Sequence, residues 1–246
     1  MWTDLDRPPL AGVRGGTVRV HGGWRVRVVP TTGSTNADVA AAARTGEAPG
    51  YVLVAEEQTA GRGRLGRGWI SPARAGLTFS ALLTVAPSSW VPLLGGVAVA
   101  QAITEVCGLD ATLKWPNDVL IGGSKVAGLL AEVTPAPNGP RVVLGVGINV
   151  TTTREELPAS RPATSLRLAG AEVTDRLTLL RAILHRLADG ATPNDYRAMC
   201  STVGRQVELH LPEGTVTSGL AEHIDEAGRL VVAGAAFAAG DVVHLR

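Results

Sequence analysis

61-GRGRLGRGW-69 packs four glycines and three arginines into nine positions, shortly after the apolar run YVLVA at residues 51–55. GRGRLG satisfies the GxGxxG fingerprint, which after a strand would open the nucleotide-binding helix of a doubly wound parallel sheet. Two neighbours exclude that. Gly68 and Pro72 stand where the helix should open, and residues 75–104 carry no charge, so no acidic side chain near position 82 can hold a ribose. The segment is therefore a loop. Arg62, Arg64 and Arg67 cannot all be buried unpaired, and glycine suits a backbone that bends or meets a ligand closely. Guanidinium forks beside exposed amides neutralise phosphate oxygens, so the loop is expected to order around a phosphate-bearing ligand. An RGG-type RNA-binding segment would repeat in disordered surroundings, whereas this single copy lies between two expected strands.

Upstream, Trp24–Val28 alternates with period two, as a half-buried strand does. TTGSTNADVAAAARTG (31–46) reads as an alanine-rich helix that Ser34, Thr35 or Asn36 can cap and Gly46 ends. Downstream, the uncharged span 75–104 is long enough for a membrane helix. Pro87, Ser88, Ser89, Pro92, Gly95 and Gly96 interrupt it, and a buried strand, a turn and a buried helix fit better. DVLI, KVAGLLAEV and RVVLGVGINV continue as strands, with Gly122-Gly123 closing a hairpin. Thr174 is the expected cap of a long helix whose Leu177, Leu180, Ile183, Leu184 and Leu187 fall at helical spacing. From Gly204 onward short alternating runs (QVELHL, RLVV, DVVHL) between PEG, EAG and AAG turns point to a small β-barrel attached to the larger body.

A formal net charge of +1 over 246 residues argues against a coat for nucleic acid or membrane, so positive charge that matters must be local. Cys107 and Cys200 are isolated, without zinc or disulfide spacing, and read as buried thiols of a reducing cytosol. Residues 1–16 lack a basic stretch followed by an apolar one, are rich in proline and glycine, and read as a loosely ordered start to a soluble, cytoplasmic protein. His21, His185, His210, His223 and His244 are scattered without metal or triad spacing, and GGSKVAG departs from the Walker pattern. KWPND (114–118) sets Lys114 and Asp118 around a bend beside Asn117, with Trp115 held extended by Pro116. PND is also an ordinary turn. Lys125, however, opens an otherwise apolar strand, where a lysine must snorkel out or face a ligand, and Gly128 lets that ligand lie close. With cations, a few carboxylates and no histidine base, these parts suit phosphate-centred chemistry with electrostatic stabilisation.

GSTN (33–36), QTAGRGRLGRGW (58–69), KWPNDVL (114–120), KVAGLLAE (125–132) and GVGINV (145–150), in that order, resemble the biotin–protein ligases from about Trp24 to the C-terminus. The resemblance implies an α+β fold. A mixed or antiparallel sheet with flanking helices (class II synthetase-like, SH2-like) would span residues 23–200, after an N-terminal tail at 1–22. A small SH3-like β-barrel would follow at 201–246. It also implies activation of biotin by MgATP to biotinyl-5′-AMP, then transfer to a lysine of the biotin carboxyl carrier domain of acyl-CoA carboxylases. Implied at biotin are Ser34, Thr35, Asn36, Gln58, Gly61, Arg62, Gly63, Arg64, Lys125, Gly128 and Gly147. Implied at the nucleotide are Arg62, Arg64, Arg67, Trp69, Lys114, Asn117 and Asn149; Lys125, Arg64 and Asp118 are the implied catalytic groups. Magnesium is expected through the ATP phosphates, its protein ligands unassigned apart from Asp118 as a candidate. Some relatives carry an N-terminal DNA-binding domain; with about 23 residues before the first expected strand, a ligase without DNA binding or membrane association is expected. A lipoate–protein ligase of the same fold and a non-catalytic biotin-binding regulator are the alternatives.

Overall fold

The computed structural model describes residues 7, 9–10 and 17–245, so the expected loose start at residues 1–16 falls almost wholly outside them. In chain order come β1 (Thr17–Arg19), β2 (Arg25–Val29), α1 (Thr35–Arg44), β3 (Tyr51–Ala55), β4 (Gly76–Leu83) and α2 (Trp90–Cys107). β5 (Ala111–Lys114), β6 (Asp118–Ile121), β7 (Ser124–Thr134), β8 (Arg141–Asn149), α3 (Arg176–Asp189) and α4 (Pro193–Met199) complete the body. Its eight strands form one sheet in the order β1-β2-β3-β4-β8-β7-β6-β5. Strands β2 and β3, linked through α1, are parallel; the other neighbours are antiparallel. β1 thus belongs to the sheet, inside the segment expected to be a tail.

Burial follows from the two-residue alternation of strands. On β3, Tyr51 and Leu53 pack with Val39 and Ala43 of α1, while Val52 and Val54 enter the larger core with α2. The uncharged span divides into β4 and α2. By length and composition α2 is apolar enough to cross a membrane, yet ten of its 18 residues are buried in this protein's own core. Its approach to the sheet depends on Gly95, where a Cβ would meet Leu144 at 2.9 Å and Leu129 at 3.0 Å. Gly122 and Gly123, both at positive φ, make the tight β6–β7 turn. Helix α3 is capped by Asp175, whose carboxylate accepts from the Thr178 amide at 2.7 Å, and not by Thr174 as expected. An anion there also meets the positive helix end. Behind β3, Glu56 accepts from Arg176 at 2.6 Å and from the Leu10 amide at 2.7 Å, a buried ion pair that ties α3 to the base of the arginine loop.

The expected SH3-like β-barrel is corrected. Strands β9 (Gln206–His210), β10 (Val216–Ile224), β11 (Leu230–Val232), β12 (Ala235–Phe237) and β13 (Asp241–His244) form an open sheet in the order β12-β11-β10-β9-β13. β12 and β13 are its opposite edges, and no ladder joins them. A register shift between Ala221 and His223 lets β10 pair with β9 through one half and β11 through the other. That bends the sheet, but three-residue β12 does not reach across to close it. The apolar face is sealed by the body instead: Val207, Leu209, Ala221, Ile224, Leu230, Val232 and Val242 share one core with α2 and the large sheet. The β10–β11 turn is pinned there, since Trp115 Nε1 donates to Gly228 O (3.1 Å) and Trp90 Nε1 to Glu226 O (2.9 Å).

Candidate active site

The site lies on the α1 face of the large sheet. Cross-strand register sets Thr78, Gly147, Gly128 and Asp118 in one row, and Ser80, Gly145 and Leu130 in the next. The glycines remove volume from this floor. A Cβ on Gly147 would stand 2.7 Å from Nε1 of the Trp69 indole, and one on Gly128 would stand 3.0 Å from Lys125 Nζ and 3.4 Å from Trp69. Lys125 and Gly128 are three positions apart and should face opposite ways. They share a face because Val126 is bulged: Ala127 pairs with Val119 and Lys125 with Leu120, leaving Val126 extra. The bulge buries Val126 and Ala127 together in the core and turns the lysine onto the floor.

Above the floor is a cavity of about 340 Å³. It is lined by Ser34, Thr35, Asn36, Gln58, Arg62, Gly63, Arg64, Arg67, Trp69, Asn117, Lys125, Gly128, Gly147 and Asn149 from among the expected site residues. Gly61, Lys114 and Asp118 stand just outside the lining. Gly61 accepts from the Trp69 amide at 2.9 Å, and Asp118 takes a 2.5 Å hydrogen bond from Lys125 Nζ. Burial pulls the Lys114 ammonium below its usual range, opposed by Asp118 and Asp241. Ser34 is the N-cap of α1; its hydroxyl makes no capping bond, and the residue lines the cavity.

The arginine loop is a tight hairpin: Gly63 N donates to Arg67 O at 2.7 Å, and Arg62 bridges Gly68. The arginines tie it to the large sheet on one side and to the start of β13 on the other. Arg62 pairs with Glu132 on β7 at 3.0 Å. Arg64 reaches Asn117 Oδ1 at 3.4 Å and Gly240 O at 3.5 Å. Arg67 grips both oxygens of Asp241 on β13, with Arg161 3.6 Å from the same carboxylate. Burial raises the Asp241 pKa, but the hydrogen bond and charge of Arg67, with Arg161 and Lys114, outweigh it and hold it below the ordinary value. Burial likewise lowers Arg64.

Three parts of the site carry no clear signature in the sequence. The segment Leu157–Ala163 forms a wall, with Lys125 N donating to Pro162 O at 3.0 Å; Pro158, Pro162 and Arg161 were its faint signal. Ser80 and Glu132 sit behind the polar end, indistinguishable by pattern from other strand residues. Asp241 arrives from a separate sheet.

A β-sheet floor cleared by glycines and ringed by cations defines an enzyme-like site for a carboxylate or phosphate ligand. Residues 29–149 match the biotin/lipoate A/B protein ligase family. The chain belongs to that family, on its biotin-ligase branch. It is 43% identical to the biotin–[acetyl-CoA-carboxylase] ligase of Mycobacterium tuberculosis, over 99% of this chain and 100% of that protein. It is 30% identical to the bifunctional ligase/repressor BirA of Escherichia coli, over 85% of this chain and 70% of that one. Among solved structures, the biotin protein ligase of Aquifex aeolicus in complex with biotin and ATP superposes with a TM-score of 0.73 at 28% identity, covering 90% of this chain and 98% of its own.

Proposed function

We propose that this chain is an ATP-dependent biotin–protein ligase that converts biotin and MgATP to biotinyl-5′-AMP and pyrophosphate, then passes the biotinyl group to a carrier lysine. One observation carries the reading: a single cavity joins a hydrogen-bonding end (Ser34, Thr35, Asn36, Gln58) to a cationic end (Arg64, Lys125, Arg161). The first end suits a cyclic urea, which has N–H donors and a carbonyl acceptor. Gly128 and Gly147 admit the Lys125 ammonium and the Trp69 indole to the floor between the two ends.

In the first step a carboxylate oxygen attacks the α-phosphate and pyrophosphate leaves. Both reactants are anionic, and Lys125 Nζ with the Arg64 guanidinium offsets their repulsion in a site where charge is poorly screened. The Trp69 indole, 5.8 Å from Lys125 Nζ, and Asn149, held by Thr164 O at 3.0 Å, form the nucleotide wall; Arg62, Arg67, Lys114 and Asn117 supply further phosphate contacts. Magnesium enters as part of the MgATP substrate: among the described residues no group of three or more His, Cys, Asp or Glu side chains gathers, so phosphate oxygens supply most ligands, with Asp118 beside them. In the second step the carrier amine attacks the mixed anhydride and AMP leaves, with Asp118 placed to orient the amine or take its proton. A closed arginine loop shields the adenylate from water meanwhile. The acceptor is the biotin carboxyl carrier domain of an acyl-CoA carboxylase. The buried free thiols Cys107 and Cys200 fit work in a reducing cytoplasm.

Pyrophosphate–ATP exchange tests this. Exchange that depends on biotin, followed by label on an added carrier domain, is the expected result. Exchange with lipoate alone would make the chain a lipoate ligase, and biotin binding without exchange would make it a regulator.

A further inference from the structure

The polar end of the cavity is backed by a chain of hydrogen bonds whose direction can be worked out by counting protons. Asn36 Nδ2 lies 2.7 Å from Glu132 Oε2 and 3.3 Å from Leu130 O. Both partners only accept, so the amide must point its NH2 at them and its Oδ1 at Ser80. The reverse orientation would set oxygen against carboxylate. Ser80, fully buried, has Oγ 2.5 Å from Asn36 Oδ1 and gives that oxygen its single proton. The 2.7 Å contact between Ser80 Oγ and Thr35 Oγ1 then needs the proton of Thr35. Gln58 Oε1, which accepts from the Thr35 amide at 2.8 Å, is the other acceptor within reach of the Thr35 proton, at 3.0 Å; either way the hydroxyl spends its proton inside the chain, and the shorter contact is to Ser80. Thr35 is left facing the cavity with lone pairs and no proton.

We infer that Glu132 is a positioning residue: through Asn36 and Ser80 it fixes the Thr35 hydroxyl as an acceptor, and so selects a ligand that presents an N–H there. The inference rests on the biotin-ligase reading and deepens it, because a cyclic urea carries that N–H and the dithiolane of lipoate does not. Arg62, 3.0 Å from Glu132 Oε2, holds the carboxylate from the loop side, so the same anion serves both specificity and loop closure.

The test compares biotin with cyclic carbamate analogues in which either ring N–H is replaced by oxygen, read as the ratio of kcat/KM in pyrophosphate exchange. A site that hydrogen-bonds a donor rejects ligands lacking it because its acceptor is left unpaired. Wild type should strongly prefer biotin over at least one carbamate. Glu132→Gln replaces the carboxylate, which can only accept, by an amide that can offer either face, so that only the longer 3.3 Å contact to Leu130 O still orients Asn36, and the preference should fall about tenfold. Glu132 lies behind the polar end of the cavity with its side chain 34% exposed, so the variant should melt within a few degrees of wild type. Glu132→Asp keeps a carboxylate that can only accept, and should retain more of the preference than Glu132→Gln does. An unchanged ratio in Glu132→Gln, or an equal loss in both variants, overturns the inference. Absence of biotin-dependent exchange in wild type would instead overturn the ligase reading itself.

Discussion

Strand β8 shows the two faces of the large sheet side by side. Toward α2 it sends Val142, Leu144, Val146 and Ile148, all in the main core; toward α1 it sends Val143, Gly145, Gly147 and Asn149. One backbone makes both faces. On the first, every position adds volume, and stability comes from dispersion and apolar burial. On the second, volume is withheld at alternate positions, and the space is claimed by Asn36 over Gly145 and by Trp69 over Gly147. The glycine row is thus the outline of what lies on it, and its cost in packing is met by the opposite face.

Substitutions on the two faces should therefore separate stability from catalysis. Leu144→Ala on the core face should cost about 2–5 kcal/mol of unfolding free energy while the folded fraction keeps its KM, measured by denaturant titration alongside exchange assays. On the site face Lys125→Ala should leave the unfolding midpoint near wild type and lower kcat/KM for adenylation about 10²–10³-fold, the range seen when one preorganised electrostatic group is lost. Wild-type turnover in that variant would remove Lys125 from the mechanism. Gly147→Ala adds one carbon under the Trp69 indole, and should weaken ligand binding by about 1–3 kcal/mol in calorimetry with little change in melting. A melting loss as large as that of Leu144→Ala would show that the two faces are not separable.

The smallest effect belongs to His244 of β13. Burial, then the charges of Lys114 and Arg205, pull its pKa from 6.5 down to about 4. The unfolded chain therefore takes up the proton first as pH falls. The contribution to stability is complete above about pH 6.5 and is lost as pH drops toward 4. Urea midpoints of wild type and His244→Gln should converge over that window; parallel curves would exclude the effect.

Local chemistry was legible in the sequence, and long-range closure was not. Gly122-Gly123 announced its hairpin because the turn itself demands positive φ, and Lys125 stood out because a cation interrupts an apolar strand. The failure of GRGRLG to open a helix was visible in Gly68 and Pro72. The barrel expectation failed because alternation reveals strands but not whether edge strands meet; here a foreign core covers the face that a barrel would close upon. The Val126 bulge is equally silent, since one extra residue in a ladder leaves the apolar pattern unchanged. Ser80 and Glu132 act through other side chains, and nothing in strand periodicity separates them from neighbours.

Arg67 and its partner Asp241 are 174 positions apart along the chain. During synthesis the loop, the floor and the lysine all leave the ribosome long before that carboxylate exists. The counter-charge is delivered last, so a nascent chain holds Arg67 and Arg161 without that carboxylate until β13 docks. A ribosome stalled short of Asp241 should carry a loop more open to protease than that of the released protein.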